Sequence, residues 1–179
     1  MSTSPDDLGR DRITVVDDRS DRSVEVSLDE CARLLDAVLA GEGLPARAGA
    51  SVTVVDAAHI ADLAATHLGH AGPTDVLSFP IDGRGPVDEP EPWFVGDVVV
   101  CPEVAAAQAP GHAGDLAAEL ALLVVHGGLH LCGWDHATPG DEAAMWARER
   151  ELLDELGVEL SADPWGDRSG EATTPEVTA

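Results

Sequence analysis

Residues 116–136 read LAAELALLVVHGGLHLCGWDH. The first sixteen, Leu116 to Leu131, are apolar at nearly every position, which predicts a helix buried on most sides at the centre of the domain. On such a helix His126 and His130 lie one turn apart on one face, with roughly 6 Å between Cβ atoms. Gly133 suits the left-handed residue just beyond a helix end, so the chain can reverse there and bring His136 back to the same point. Three imidazoles with a vacant fourth position are the pattern of catalytic zinc, whereas structural zinc usually takes four protein ligands rich in cysteine. The stretch therefore predicts a hydrolase built on a metal-bearing core helix, with one Zn2+ per chain held by His126, His130 and His136.

A dication at this point would lower the pKa of its bound water to about 7 and polarise a carbonyl or phosphoryl oxygen. The spacing His-x3-His-x2-Gly-x2-His is that of the long zinc-protease signature, except that Gly127 stands where those proteases carry glutamate. That glutamate is the general base of peptide hydrolysis, so its absence speaks against an ordinary metalloprotease and leaves the metal site intact. Two readings of Gly127 and Gly128 stand side by side: room for a bulky substrate over the metal, or close packing of a strand against the helix. Asp135 is open in the same way, as an orienting partner for a ligand or as a cap on the approach to the next helix. Cys132 reads as a small core hydrophobe rather than a ligand.

Outward from this stretch, Asp115 caps the core helix. A second helix begins at Thr138 with Pro139 at its first position, runs to Leu156 and buries Met145, Leu152 and Leu156, with its acids on a solvated face. Upstream, Gly96 to Cys101 is a β-branched run suited to a central strand, and Pro102 opens a short helix. GPTDVLSFP at 72–80 is a turn and a brief strand that Pro80 shortens or confines to a sheet edge. Beside a cleft, such a strand could offer Thr74, Asp75 or Ser78 to a ligand, although turn capping accounts for Thr74 and Asp75 equally well. Residues 12–26 read as strand, turn, strand, with Val24 and Val26 in the second. Ser27 and Glu30 form a capping box for a helix striped by Cys31, Leu34, Leu35, Val38 and Leu39. Val52 to Val55 is a further strand, followed by a helix capped by Asp56. His59, His67 and His70 have no ligand spacing among themselves and read as ordinary surface or partly buried histidines.

The chain has 179 residues, a net charge of −24, ten arginines and no lysine. Residues 12–160 suffice for one domain with a real core, while 1–11 and 161–179 read as a disordered N-terminus and a disordered acidic tail. Cys31, Cys101 and Cys132 are odd in number and lie in apolar segments, as free thiols of a reducing compartment do. With no apolar leader and no apolar run long enough to span a bilayer, the expected location is the cytoplasm, without a membrane partner. The acidity argues against DNA and weighs against nucleic acid in general, because non-specific binding to phosphates rests on clustered Lys and Arg. Acidity as a device for solubility is the plainer explanation.

Together HGGLHLCGWDH at 126–136, GPTDVLSFP at 72–80, the run VGDVVV at 95–100 and the order of elements between them resemble the YbeY family of ribosomal-RNA maturation factors over residues 12–160. The resemblance implies an α/β fold of α+β character: about four strands in a mixed sheet, with helices packed around the central metal-bearing helix. It implies a zinc-dependent, single-strand-specific endoribonuclease acting in small-subunit rRNA 3′-end maturation and ribosome quality control, with rRNA precursor and the small ribosomal subunit or ribosome-associated proteins as partners. His126, His130 and His136 carry over as zinc ligands. The catalytic base is not identified; Asp75 and Ser78 are the cleft candidates beside the metal-bound water. One departure is Leu68, which stands where many members carry a cleft arginine, with His67, His70 and Arg84 as candidate replacements. Two other readings remain: a metal-dependent hydrolase of peptides or small molecules, and a non-enzymatic ribosome-assembly factor with a structural metal.

Overall fold

In the computed structural model, residues 12–166 are described, except 70, 87 and 89. Ile13–Asp17 (β1) leads into Leu28–Gly41 (α1), which starts where Ser27 Oγ accepts from the Glu30 amide, the first half of the expected capping box. Ala48–Val54 (β2) and Ala57–Leu68 (α2) follow, then Val76–Pro80 (β3) and Trp93–Val100 (β4). Pro102–Gln108 (α3), with Pro102 in its first turn, precedes Leu116–Leu131 (α4) and Pro139–Glu155 (α5).

The four strands form one mixed sheet in the order β1-β2-β4-β3, with β1, β2 and β4 parallel and β3 antiparallel to β4. The expected α/β architecture is thus the observed one. β4 is an interior strand as its apolar run requires, and β3, which ends in Pro80, lies at an edge where the missing amide is tolerated. Side-chain alternation gives each sheet face its own partner. Val98 and Val100 join the core formed with α1, α4 and α5, whereas Leu77, Val99 and Cys101 pack with Ile60 and Ala64 of α2.

Helix α4 is the centre of the larger core, with Val124, Val125 and Leu129 fully buried. Its glycines are explained by packing. A Cβ on Gly127 would stand 2.7 Å from Val98 Cγ1 and 3.0 Å from Ser78 Oγ, and one on Gly128 3.0 Å from both Leu35 Cδ1 and Val38 Cγ1. Bare backbone lets α4 lie directly on β4 and α1, so close approach rather than room for a substrate accounts for both.

Two expectations need correction. Val24 and Val26 form no second strand: the Arg19 guanidinium grips both carboxylate oxygens of Asp17 at 2.8 and 2.9 Å and takes the Val24 carbonyl at 2.7 Å. With that carbonyl spent on a buried side chain, the segment stays a loop, and among the described residues β1 pairs only with β2. Asp56 does sit at the N-cap of α2, yet its carboxylate caps nothing; it accepts instead from Ser20 N and Oγ at 2.8 and 2.7 Å, pinning that loop.

Of the expected tail, residues 161–166 are described and lie against the domain. Ser161 N donates to Ala113 O at 3.2 Å, and the Arg150 guanidinium sits 4.5 Å from the centre of the Trp165 ring. Residues 1–11 and 167–179 lie outside the described residues. No single helix among the described residues is long and apolar enough to cross a membrane.

Candidate metal centre

The α4 geometry brings His126 and His130 onto one face, with ring centroids 4.6 Å apart. Gly133, at φ 93°, turns the chain beyond the helix and returns His136 to within 5.0 Å of the His130 ring and 5.7 Å of the His126 ring. One ligating atom from each of the three residues falls within 4.8 Å of the others. The three sequence candidates therefore converge, His126 and His130 partly buried and His136 exposed.

The hydrogen bonds on the far side of each helix imidazole fix its tautomer. His130 Nδ1 lies 2.9 Å from the Trp134 carbonyl, which can only accept, so Nδ1 carries the proton. His126 Nδ1 lies 2.7 Å from Glu149 Oε1, and against a carboxylate it donates as well. With both Nδ1 atoms engaged, the two Nε2 atoms face each other at 3.1 Å. A proton or a metal cation shared between the two nitrogens accounts for that distance. Two zinc–nitrogen bonds of about 2.0–2.1 Å at a tetrahedral angle span roughly the same separation. Burial, reinforced by the neighbouring His126, holds His130 below the ordinary histidine range, which favours the neutral form that a metal ligand must have.

The supporting residues were not singled out in the sequence. Glu149, placed with the solvated acids of α5, is in fact buried, 2% exposed, and accepts from Trp165 Nε1 at 2.6 Å as well as from His126. Its position four residues after Met145 and three before Leu152 put it on the apolar stripe, a signal that was available. Glu119, the sole acid inside α4, is fully buried. Its carboxylate accepts from His112 Nδ1 at 2.9 Å through either oxygen, from Gln108 Nε2 at 2.8 Å and from Ala113 N at 3.1 Å. His112, His126, His136, Glu149 and Trp165 share a cavity of about 220 Å3.

The other candidates lie elsewhere. Asp75 accepts from Val76 N at 2.8 Å and Gln108 Nε2 at 2.5 Å, and Ser78 Oγ donates to the Gly127 carbonyl at 3.2 Å; neither lines that cavity. His67 is exposed and meets Phe79 edge-on, His59 sits 3.6 Å from Asp18, and Leu68 is 65% exposed. Arg84 is bound to the Glu42 carbonyl at 3.0 Å in a separate groove, and His70 lies outside the described residues. Asp135 accepts from the His136 amide at 2.7 Å and so holds its own loop. Burial, with Glu42 as the next cause, pushes the Cys132 thiol up to about 12, far from a thiolate ligand.

Fold and centre together define an α/β protein that presents three histidines at the end of a buried helix, open on one side to a cavity. The family described as Endoribonuclease YbeY matches residues 15–157. Proteins named Endoribonuclease YbeY from Mycolicibacterium gilvum and Rhodococcus opacus are 42% and 41% identical, covering 78% and 79% of this chain and 82% and 81% of their own. The solution structure of TM1509 from Thermotoga maritima shares the fold at a TM-score of 0.50 and 23% identity, over 81% of this chain and 91% of that one. The chain belongs to the YbeY family.

Proposed function

We propose that this chain is a metal-dependent endoribonuclease with one zinc ion held by His126, His130 and His136. The observation that carries the metal is the convergence of one ligating atom from each of the three histidines within 4.8 Å, with the Nε2 atoms of His126 and His130 turned to each other at 3.1 Å by hydrogen bonds on the opposite side of each ring. Bound there, a zinc ion supplies Lewis acidity toward a phosphoryl oxygen and acidifies water. RNA as substrate rests on the activity named in the relatives at about 42% identity. Single-stranded rRNA precursor, small-subunit 3′-end maturation and quality control, and work at the ribosome in the cytoplasm extend the family resemblance to this chain, with residues 12–160 as the one catalytic domain. A chain of net charge −24 gains no long-range attraction to phosphate, so the cation is also what makes the cleft hospitable to a phosphodiester.

The test combines metal content with cleavage. Purified chain is expected to hold about one zinc and to cut single-stranded rRNA precursor, with chelation abolishing cleavage and added zinc restoring it. His126→Ala and His130→Ala are expected to lose both metal and activity. Full metal retention in both variants would sink the ligand assignment, and RNA cleavage that survives both chelation and His130→Ala would sink the proposed reaction. Peptide cleavage by the same preparation would favour a hydrolase of peptides instead.

A further inference from the structure

A second histidine–carboxylate pair opens on the cavity of the three-histidine cluster without belonging to that cluster. His112 lies between the short helical turn Ala109–Gly111 and the α4 cap Asp115. Its position is braced from both sides: its own amide donates to Ala109 O at 3.1 Å, and next to it Ala113 is fully buried, donating to Glu119 Oε2 at 3.1 Å and accepting from Ser161 N at 3.2 Å. His112 Nδ1 meets both oxygens of Glu119 at 2.9 Å, so Nδ1 donates to the carboxylate and Nε2 is the nitrogen turned away from it. That Nε2 makes no hydrogen bond among the described residues, and the side chain is 34% exposed where it lines the cavity with His126 and His136. The carboxylate behind it is wholly buried and held in addition by Gln108, whose Nε2 also reaches Asp75 at 2.5 Å.

An imidazole oriented through Nδ1 by a buried carboxylate, on a cavity it shares with His126 and His136, is the arrangement of a general base when the ring is neutral. We propose that His112 is the catalytic base of this cleft and Glu119 its positioning residue, an inference that rests on the phosphodiesterase reading above. In the step assigned to it, the oxygen of the attacking water forms a bond to phosphorus while its proton passes to His112 Nε2. The bond from phosphorus to the leaving ribose oxygen breaks, its electron pair going to that oxygen, which takes a proton from solvent. The imidazolium then returns its proton to solvent, so that one water is consumed and the base is regenerated. Glu119 keeps Nδ1 protonated and stabilises the imidazolium while it exists. If His112 served only to satisfy Glu119, that carboxylate would still accept from Gln108 and Ala113, and nothing would be asked of Nε2.

His112→Gln and His112→Ala, made in the full zinc-loaded chain, separate these roles. Both are expected to fold and keep wild-type zinc content, to lose roughly 10²–10⁴-fold in kcat with KM changed by less than about threefold, and the alanine variant alone to regain rate with added imidazole. Wild-type kcat in both variants, beside a wild-type chain that cleaves RNA, would overturn the inference and leave the nuclease reading standing. Loss of zinc from the variants would overturn it too, by making His112 part of the metal site. A zinc-loaded wild-type chain that leaves RNA intact overturns the nuclease reading, and this base with it.

Discussion

Arg148 and Glu149 are neighbours on α5, yet they belong to two polar clusters of opposite character. On one side Glu42, 8% exposed in its side chain, accepts from Arg148 Nε at 2.8 Å and Trp134 Nε1 at 2.8 Å, with Arg84 at 3.7 Å. On the other, Glu149 is more deeply buried and also accepts from an indole, Trp165 Nε1 at 2.6 Å, but its second partner is His126. Burying a carboxylate is costly unless a cation answers it. Glu42 carries its answer in covalently fixed guanidinium groups and is complete as it stands. Glu149 faces donors that are neutral when His126 is a ligand, and a cation on the far nitrogen of that ring would match its charge. The difference separates a cluster that is complete as it stands from one that the proposed metal would complete.

The largest expected effect tests the first half. Arg148→Met leaves the Glu42 carboxylate only Trp134 Nε1 and the more distant Arg84, and should cost on the order of 3 kcal/mol, since it removes the close cationic partner of a buried carboxylate. In a domain of this size that is a Tm lower by roughly 6–12 °C. Zinc affinity should be unchanged, and calorimetry together with metal titration reads both. A loss of zinc in this variant would break the distinction between the clusters. Glu149→Gln should do the reverse: zinc binding weaker by about 10–100-fold, the usual loss when a partner that orients a ligand is removed. The stability of the zinc-free chain should stay within about 1 kcal/mol of wild type, because no buried charge is abandoned. A Tm drop as large as that of Arg148→Met, at full zinc affinity, would make Glu149 another structural acid.

What was legible in the sequence follows the range of the forces involved. Helix α4, its Asp115 cap, the Gly133 turn and the convergence of His126, His130 and His136 are written in neighbouring residues, because helical periodicity and end geometry are local. β3 at an edge and β4 inside the sheet were readable from one proline and one β-branched run. The false hairpin at 12–26 arose because the alternation of Val24 and Val26 carries no notice that Arg19 folds back to take a backbone carbonyl. The groups behind the imidazoles come from three separate places: the Trp134 carbonyl beyond the helix, Glu149 on α5, and Glu119 with His112 at the start of α4. Their pairing is tertiary, and only burial registers them. Trp165 lay beyond the expected end of the domain, where composition pointed to a tail.

The two indoles differ in the same way, with smaller effects. Trp134→Phe removes a donor from a carboxylate that keeps its guanidinium and should cost about 1 kcal/mol of stability with zinc binding intact. Trp165→Phe removes the donor that fixes the second oxygen of Glu149, so it should weaken zinc by on the order of threefold, less than the Glu149 change, with little effect on Tm. Denaturation and metal competition on the two variants distinguish these outcomes. Identical behaviour of the pair would erase the asymmetry.

The smallest effect comes from a thiol on the Glu42 side. Cys132 is buried next to the Glu42 cluster, and burial first, then the Glu42 charge, pushes its thiol up to about 12 from 9.0. Below pH 9 the thiol is protonated in both folded and unfolded chains, and its contribution to stability is fully present. Above that the unfolded chain ionises first, so stability should fall as pH rises from 9 toward 12. At pH 8 the folded chain should therefore leave Cys132 unreactive toward iodoacetamide for as long as it stays folded, with zinc bound or removed. Should chelation alone expose Cys132 to alkylation, the Glu42 side would depend on the metal after all, and the two clusters would be one cooperative unit.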